Sequence, residues 1–132
     1  MNGKMLGYVG SDAARRERTA RALAGGGAPV AVWLEDAAEA MQHSGAVPDV
    51  VVLDAHDRDV DALVASLAFL DAAWPSSAVV ALVDAQPDAA RAILDAGVRS
   101  IVGPDAGDAQ LQAAVEAAAE GRGLVDIDVV RP

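Results

Sequence analysis

Five short apolar runs, each closed by glycine, proline or acidic residues and each followed by a longer helix-forming stretch, constrain this chain more than any other feature. The runs are Met5 to Val9, Pro29 to Leu34 ("PVAVWL"), Asp49 to Leu53, Ala78 to Val83 and Arg99 to Val102. None is long enough to be a helix, and their Val and Leu content suits strands buried on both faces. Between them, a helix is expected from the Gly10-Ser11-Asp12 turn to about Ala24, where Gly25-Gly26-Gly27 ends it. Others are expected from Glu35 to about Ser44, from a cap at Asp59 to about Ala73 ahead of Pro75, from Pro87 to Ala96, and from Asp105 to Glu120. Glycines 97 and 121 stop the last two.

Strict alternation of strand and helix with short polar joints argues for a parallel sheet covered on both faces. The expected fold is α/β and flavodoxin-like: a doubly wound five-stranded sheet of order 2-1-3-4-5 with five helices in three layers. The chain of 132 residues suits one such domain. In this topology ligands gather at the carboxyl ends of the strands, near the switch point between the first and third. That placement groups Gly10, Ser11 and Asp12 with Asp54, which ends the run "VVVLD".

Composition narrows the function. Apolar residues make up 53% of the chain but aromatics only 3%, so the core is built from Ala, Val and Leu, and a base-stacking surface is disfavoured. A formal charge of −10 opposes binding to a phosphate backbone by this domain. The chain has no cysteine, which removes disulfides, thiolate catalysis and cysteine zinc sites. No apolar run approaches the roughly 18 residues of a membrane span, and the first residues do not read as a secretory leader. A soluble cytoplasmic protein without membrane or direct nucleic-acid contact is expected.

With the elements placed, the chain resembles the receiver domain of two-component response regulators from about Lys4 to Gly121. The resemblance is carried by "PDVVVLDAHDRDVDA" and by "ILDAGVRSIVGPDAGDAQLQAAVEAAAEGRGLVDIDVV". The second segment is similar to the fifth strand, last helix and exit of LuxR/NarL-type receivers, which lead into a DNA-binding helix-turn-helix. It implies a receiver-like domain over residues 1–121 and the start of a linker over 122–132, with a longer chain carrying the helix-turn-helix as one expectation. Carried over by position, Asp54 matches the phosphorylated aspartate. The acidic pair that holds Mg²⁺ falls on Gly10 and Ser11, with Asp12 one place late. The hydroxyl residue ending strand four falls on Val83 (or Leu82), the switch aromatic on Ile101, and the phosphoryl-contacting lysine on Pro104. His56 completes this altered pocket.

Those replacements bear directly on chemistry. Phosphoryl transfer is mostly positioning and charge neutralisation, so a carboxylate without a cation and a cationic donor is a poor acceptor. A degenerate pseudo-receiver is therefore expected: not an enzyme, with no catalytic residue and no metal or other cofactor, since the missing carboxylates weaken any Mg²⁺ site. It would signal through protein partners, including a second copy met through the last helix and fifth strand. Two other readings stay open: a Mg²⁺-dependent phosphoacceptor at Asp54, and a small-molecule sensor using the space near Gly10, Ser11 and Asp54, where the loss of two acids favours a neutral or anionic guest.

The remaining candidates have plainer explanations. Asp54 reads as a structural carboxylate satisfied by nearby backbone N–H groups, and Asp12 as a helix cap. Asp57, Asp59 and Asp61 fail the calcium-loop spacing, because Ala62 and Ala68 stand where Gly and Glu are required. His43 and His56 lack a third ligand at zinc spacing. Gly7 and Gly10 match no phosphate-loop motif. Arg15, Arg16, Arg18 and Arg21 read as a solvated helix face or a docking surface for an acidic partner, and Trp33 and Trp74 as core or edge packing.

Overall fold

The computed structural model describes residues 4–56, 59–84, 87–103 and 106–125. In chain order the elements are β1 (Leu6–Val9), α1 (Ala13–Gly25), β2 (Val30–Leu34), a 3-10 helix (Ala37–Gln42), β3 (Val50–Asp54), α2 (Val60–Ala73), β4 (Ala78–Leu82), α3 (Pro87–Asp95), β5 (Ser100–Val102) and α4 (Asp108–Ala119). The strands form a parallel sheet of order β2-β1-β3-β4-β5. This is the expected doubly wound architecture, with helices on both faces.

Alternation along the strands builds two cores. Leu6, Tyr8, Val50, Val52, Val80, Leu82 and Val102 point to the face covered by α1 and α4. Val9, Val51, Leu53, Ala81 and Ile101 point to the other, under the 3-10 helix, α2 and α3. Gln112 ties α4 to α1 by donating from Nε2 to the Ala22 carbonyl at 2.7 Å. Gly7 on β1 lies under Pro48: a Cβ there would stand 3.0 Å from the proline ring, a tight contact.

Three details depart from the sequence expectation, and a fourth adds to it. The segment after β2 is a 3-10 helix rather than an α-helix. Asp36 and Glu39 form a reciprocal capping box, and the bonds that follow run from Glu39 N–H to the Asp36 carbonyl and from His43 N–H to that of Ala40. Six residues held this way gain little from an α-turn. The third strand begins at Val50 and includes Asp54, which pairs with Leu82, while the Asp49 carboxylate is taken by the Met5 N–H at 2.7 Å. The last helix starts at Asp108 behind Gly107, not at Asp105, which lies outside the described residues. Finally, the chain beyond α4 does not leave the sheet at once. Ile101 N–H donates to the Leu124 carbonyl at 3.0 Å, Leu124 N–H donates to Ser100 Oγ at 3.3 Å, and Val125 pairs with Ile101 in parallel.

Candidate functional site

The pleat of β3 turns Asp54 toward the α1 side, the same face as Val52 and Tyr8. Asp54 is 4% exposed, so its polar oxygens must be satisfied within the fold. Tyr8 reaches it from β1, its hydroxyl donating to Oδ2 at 3.1 Å. Arg15 reaches it from the first turn of α1, donating from Nε to the same Oδ2 at 2.8 Å. The other oxygen, Oδ1, accepts the His56 backbone N–H at 3.1 Å. The expected backbone satisfaction is therefore only part of the arrangement. Two side chains supply the rest.

Asp12 decides where Arg15 can go. With its extended backbone (φ −80°, ψ 111°) it caps α1, and its Oδ1 accepts the Arg15 N–H at 2.9 Å. Its Oδ2 lies 3.3 Å from Arg15 Nη1, so the guanidinium bridges Asp12 and Asp54. The backbone N–H of Arg15, followed by the guanidinium charge, holds the Asp12 carboxyl below its ordinary range. Burial works against the charge on Arg15, but the hydrogen bond and charge of Asp54 outweigh it and the guanidinium is held above its ordinary value. Burial and then the Asp54 charge push the Tyr8 phenol far up, which keeps its proton on the donor side of the bond.

Gly10 closes the cluster. A Cβ at this position would stand 2.8 Å from Asp54 Cβ and 2.9 Å from Tyr8 Cε1, closer than real side chains approach. Its N–H donates to the Leu34 carbonyl at 2.9 Å, which pins the strand end. Ser11 is exposed beside it. The space a side chain at Gly10 would take is filled by Tyr8 and the Asp54 side chain.

Of the other sequence-derived positions, Val83 and Ile101 are buried apolar core residues at 2% and 0% exposure. Pro104 lies outside the described residues, as do Asp57 and Arg58. His56 and His43 take different partners. Its Nδ1 bonds Asp84 Oδ1, linking the loops after β3 and β4, whereas His43 Nε2 meets the Ala46 carbonyl at 3.1 Å. Among the described residues no group of three or more His, Asp or Glu is placed to hold a metal ion. Arg21 pairs with Glu17 at 2.9 Å on the surface, as the solvated-face reading of α1 requires. Arg15 departs from that reading because it turns inward. Trp33 is an edge residue, 43% exposed with its ring 6.0 Å from that of Tyr8, and Trp74 is buried in the core.

Tyr8 and Arg15 were not singled out as partners of Asp54 by the sequence. Two signals pointed to them. The chain's lone tyrosine sits mid-strand, where a buried hydroxyl demands an acceptor. With the uncharged Gly10 and Ser11 ending the neighbouring strand, a buried carboxylate also needs a built-in cation.

No protein-family model matches the chain, and no curated protein does either. Its fold is that of solved response-regulator receiver domains. A LuxR family DNA-binding response regulator from Silicibacter pomeroyi is 24% identical, with 96% of this chain and 98% of that one covered at a TM-score of 0.75. The isolated REC domain of RcsB from Salmonella enterica serovar Typhimurium, determined with the phosphomimetic BeF3⁻, is 16% identical over 98% of both chains at 0.78. A longer Salmonella typhimurium RcsB response regulator gives 18% identity and a TM-score of 0.83, covering 99% of this chain but 65% of that one.

Proposed function

We propose that this chain is a receiver-like signalling module that acts through protein contacts, with Asp54 serving as a structural carboxylate rather than as a phosphoacceptor. The observation that carries this reading is the occupation of Asp54 by Arg15 and Tyr8. A carboxylate attacks phosphorus with an oxygen lone pair and needs neutralisation of the incoming phosphoryl oxygens. Here two donors hold Oδ2, the backbone holds Oδ1, and the local cation is already paired with Asp12 and Asp54. The acidic pair cannot be restored on the strand either, because Gly10 has no room for a side chain.

The module is noncatalytic and cytoplasmic in this reading, and its output is a contact with another protein. A second copy could dock through α4 and β5, although there it would meet Leu124 and Val125, which lie against β5 at Ile101. The RcsB comparison, in which a third of the longer chain lies beyond the match, supports a linkage to a DNA-binding domain of the helix-turn-helix type.

Incubation with Mg²⁺ and acetyl phosphate, or with fluoroberyllate, tests the proposal directly. Neither treatment should produce saturable, Asp54-dependent modification or chemical-shift change. Stoichiometric labelling that disappears in Asp54→Asn would establish the phosphoacceptor reading instead. A ligand seated at Gly10 and Ser11 would have to displace Tyr8 from Asp54, so thermal shifts that strengthen in Tyr8→Phe would be the mark of a sensor at that end.

A further inference from the structure

We propose an input site at the end of the sheet opposite Asp54: a groove beneath the exit segment that binds a small amphipathic anion, with an apolar body and one carboxylate-like end. The groove has a volume of about 380 Å³, within the range of small-molecule sites. It lies at the N-terminal ends of β4 and β5, where α2, α3 and α4 finish. Leu67, Leu70, Trp74 and Val98 give it an apolar wall. Its charge runs opposite to that of the protein. Arg99 and Arg122 line it against the single acid Asp71, in a chain with ten basic and twenty acidic residues.

The helix ends fix the orientation of the guest. Helix C-termini disfavour negative charge, so an anion is excluded from the ends of α2 and α3 unless cations offset them. Part of that field is already blunted, because Val98 N–H bonds the Ile93 carbonyl and Arg122 N–H bonds that of Ala117. The anionic end therefore belongs beside Arg99 and Arg122, with the apolar body lying toward α2. Arg122 can turn to the guest at little cost by giving up Glu120: both of its bonds to that carboxylate are exposed, and such pairs hold weakly.

Occupation would act on the exit segment. Gly121 and Arg122 are part of the groove wall, and Gly123 packs so closely on β5 that a Cβ would stand 2.7 Å from the Arg99 carbonyl oxygen. A ligand held by Arg99, next to the start of β5, and by Arg122 from the exit segment clamps the two together. The same clamp protects the Ile101 to Leu124 and Leu124 to Ser100 hydrogen bonds. This site does not depend on the state of Asp54, so it can succeed or fail independently of the function proposed above.

Trp74 offers the test. In the full chain carrying Trp33→Phe it is the sole tryptophan, and it lies in the groove wall. Octanoate should change its fluorescence saturably, octanamide should bind at least tenfold more weakly, and amide exchange at Ile101 and Leu124 should slow only with octanoate. Arg99→Ala and Arg122→Ala, each verified as folded by circular dichroism, should lose the octanoate response, while Arg99→Lys should retain most of it. A flat titration overturns the proposal. So does equal binding of octanamide, or an octanoate response indifferent to both arginine variants.

Discussion

The two ends of the sheet use the same kinds of residue in opposite ways. At the carboxyl end, Arg15 is drawn inward between Asp12 and Asp54, Tyr8 closes over the same oxygen, and no space is left at Gly10. At the amino end, Arg99 and Arg122 stand at the mouth of an open groove, with Asp71 in its wall and Glu120 paired to Arg122 at the surface. A guanidinium that neutralises a buried carboxylate contributes rigidity. One at the rim of a cavity remains available to a guest. In this fold the carboxyl end is where chemistry would be sought first, yet here it is the closed end.

The sharpest way to break this contrast is to force the carboxyl end open. Gly10→Asp would place atoms inside contact distance of Asp54 and Tyr8 and add a second buried acid. We expect a loss of about 3–5 kcal/mol, combining overpacking with uncompensated charge, read from urea unfolding. Full stability in that variant would mean that the acidic pair can be accommodated and that the site is not closed.

Next in size is Arg15→Ala, which leaves Asp54 buried without its cation. Because the arginine side chain is 22% exposed, water can replace part of the interaction, and a loss of about 2–3 kcal/mol at neutral pH is expected. Arg99→Ala, at the open end, should lower the unfolding free energy by no more than about 0.5 kcal/mol. Equal losses for the two arginines would erase the distinction.

Tyr8→Phe removes one hydrogen bond to a charged acceptor and should cost about 1.5 kcal/mol. The same residue gives an alkaline test, since it is the only tyrosine in the chain. Folding raises its pKa above 10.0, so its stabilisation is whole below that pH and is lost as pH climbs toward the folded value. Phenolate absorbance should therefore appear with unfolding rather than in the folded protein. The smallest effect belongs to Asp12, whose pKa is lowered from 3.8 in the folded chain. Its contribution is present above that pH and fades as pH falls below it, so Asp12→Asn should flatten the acid limb of the stability curve.

How far the sequence reached can be argued residue by residue. The runs ending at Val9, Leu34, Leu53, Val83 and Val102 located each strand to within a residue or two, because buried parallel strands require uninterrupted apolar runs and breakers must follow them. The 3-10 helix was read as an α-helix because composition reports helix formation but not the hydrogen-bond step chosen by a six-residue segment with caps at its start. At the candidate site, Asp54, Gly10 and Asp12 were legible from their positions in the topology. Arg15 was not, since an arginine among four on one helix carries no mark of which one turns inward.

The sequence by itself determined the order of elements, the two apolar faces and the address of Asp54, since periodicity and chain-breaking residues are local properties. Only the tertiary structure decided what Asp54 touches. Its partners come from positions 39 and 46 residues away, and their reach depends on strand register, the Asp12 cap and the absence of a Cβ at Gly10. The groove at the other end has the same origin. It exists because three helices stop at one edge of the sheet and the exit segment crosses back over β5, and pattern along a chain does not encode the space left between elements.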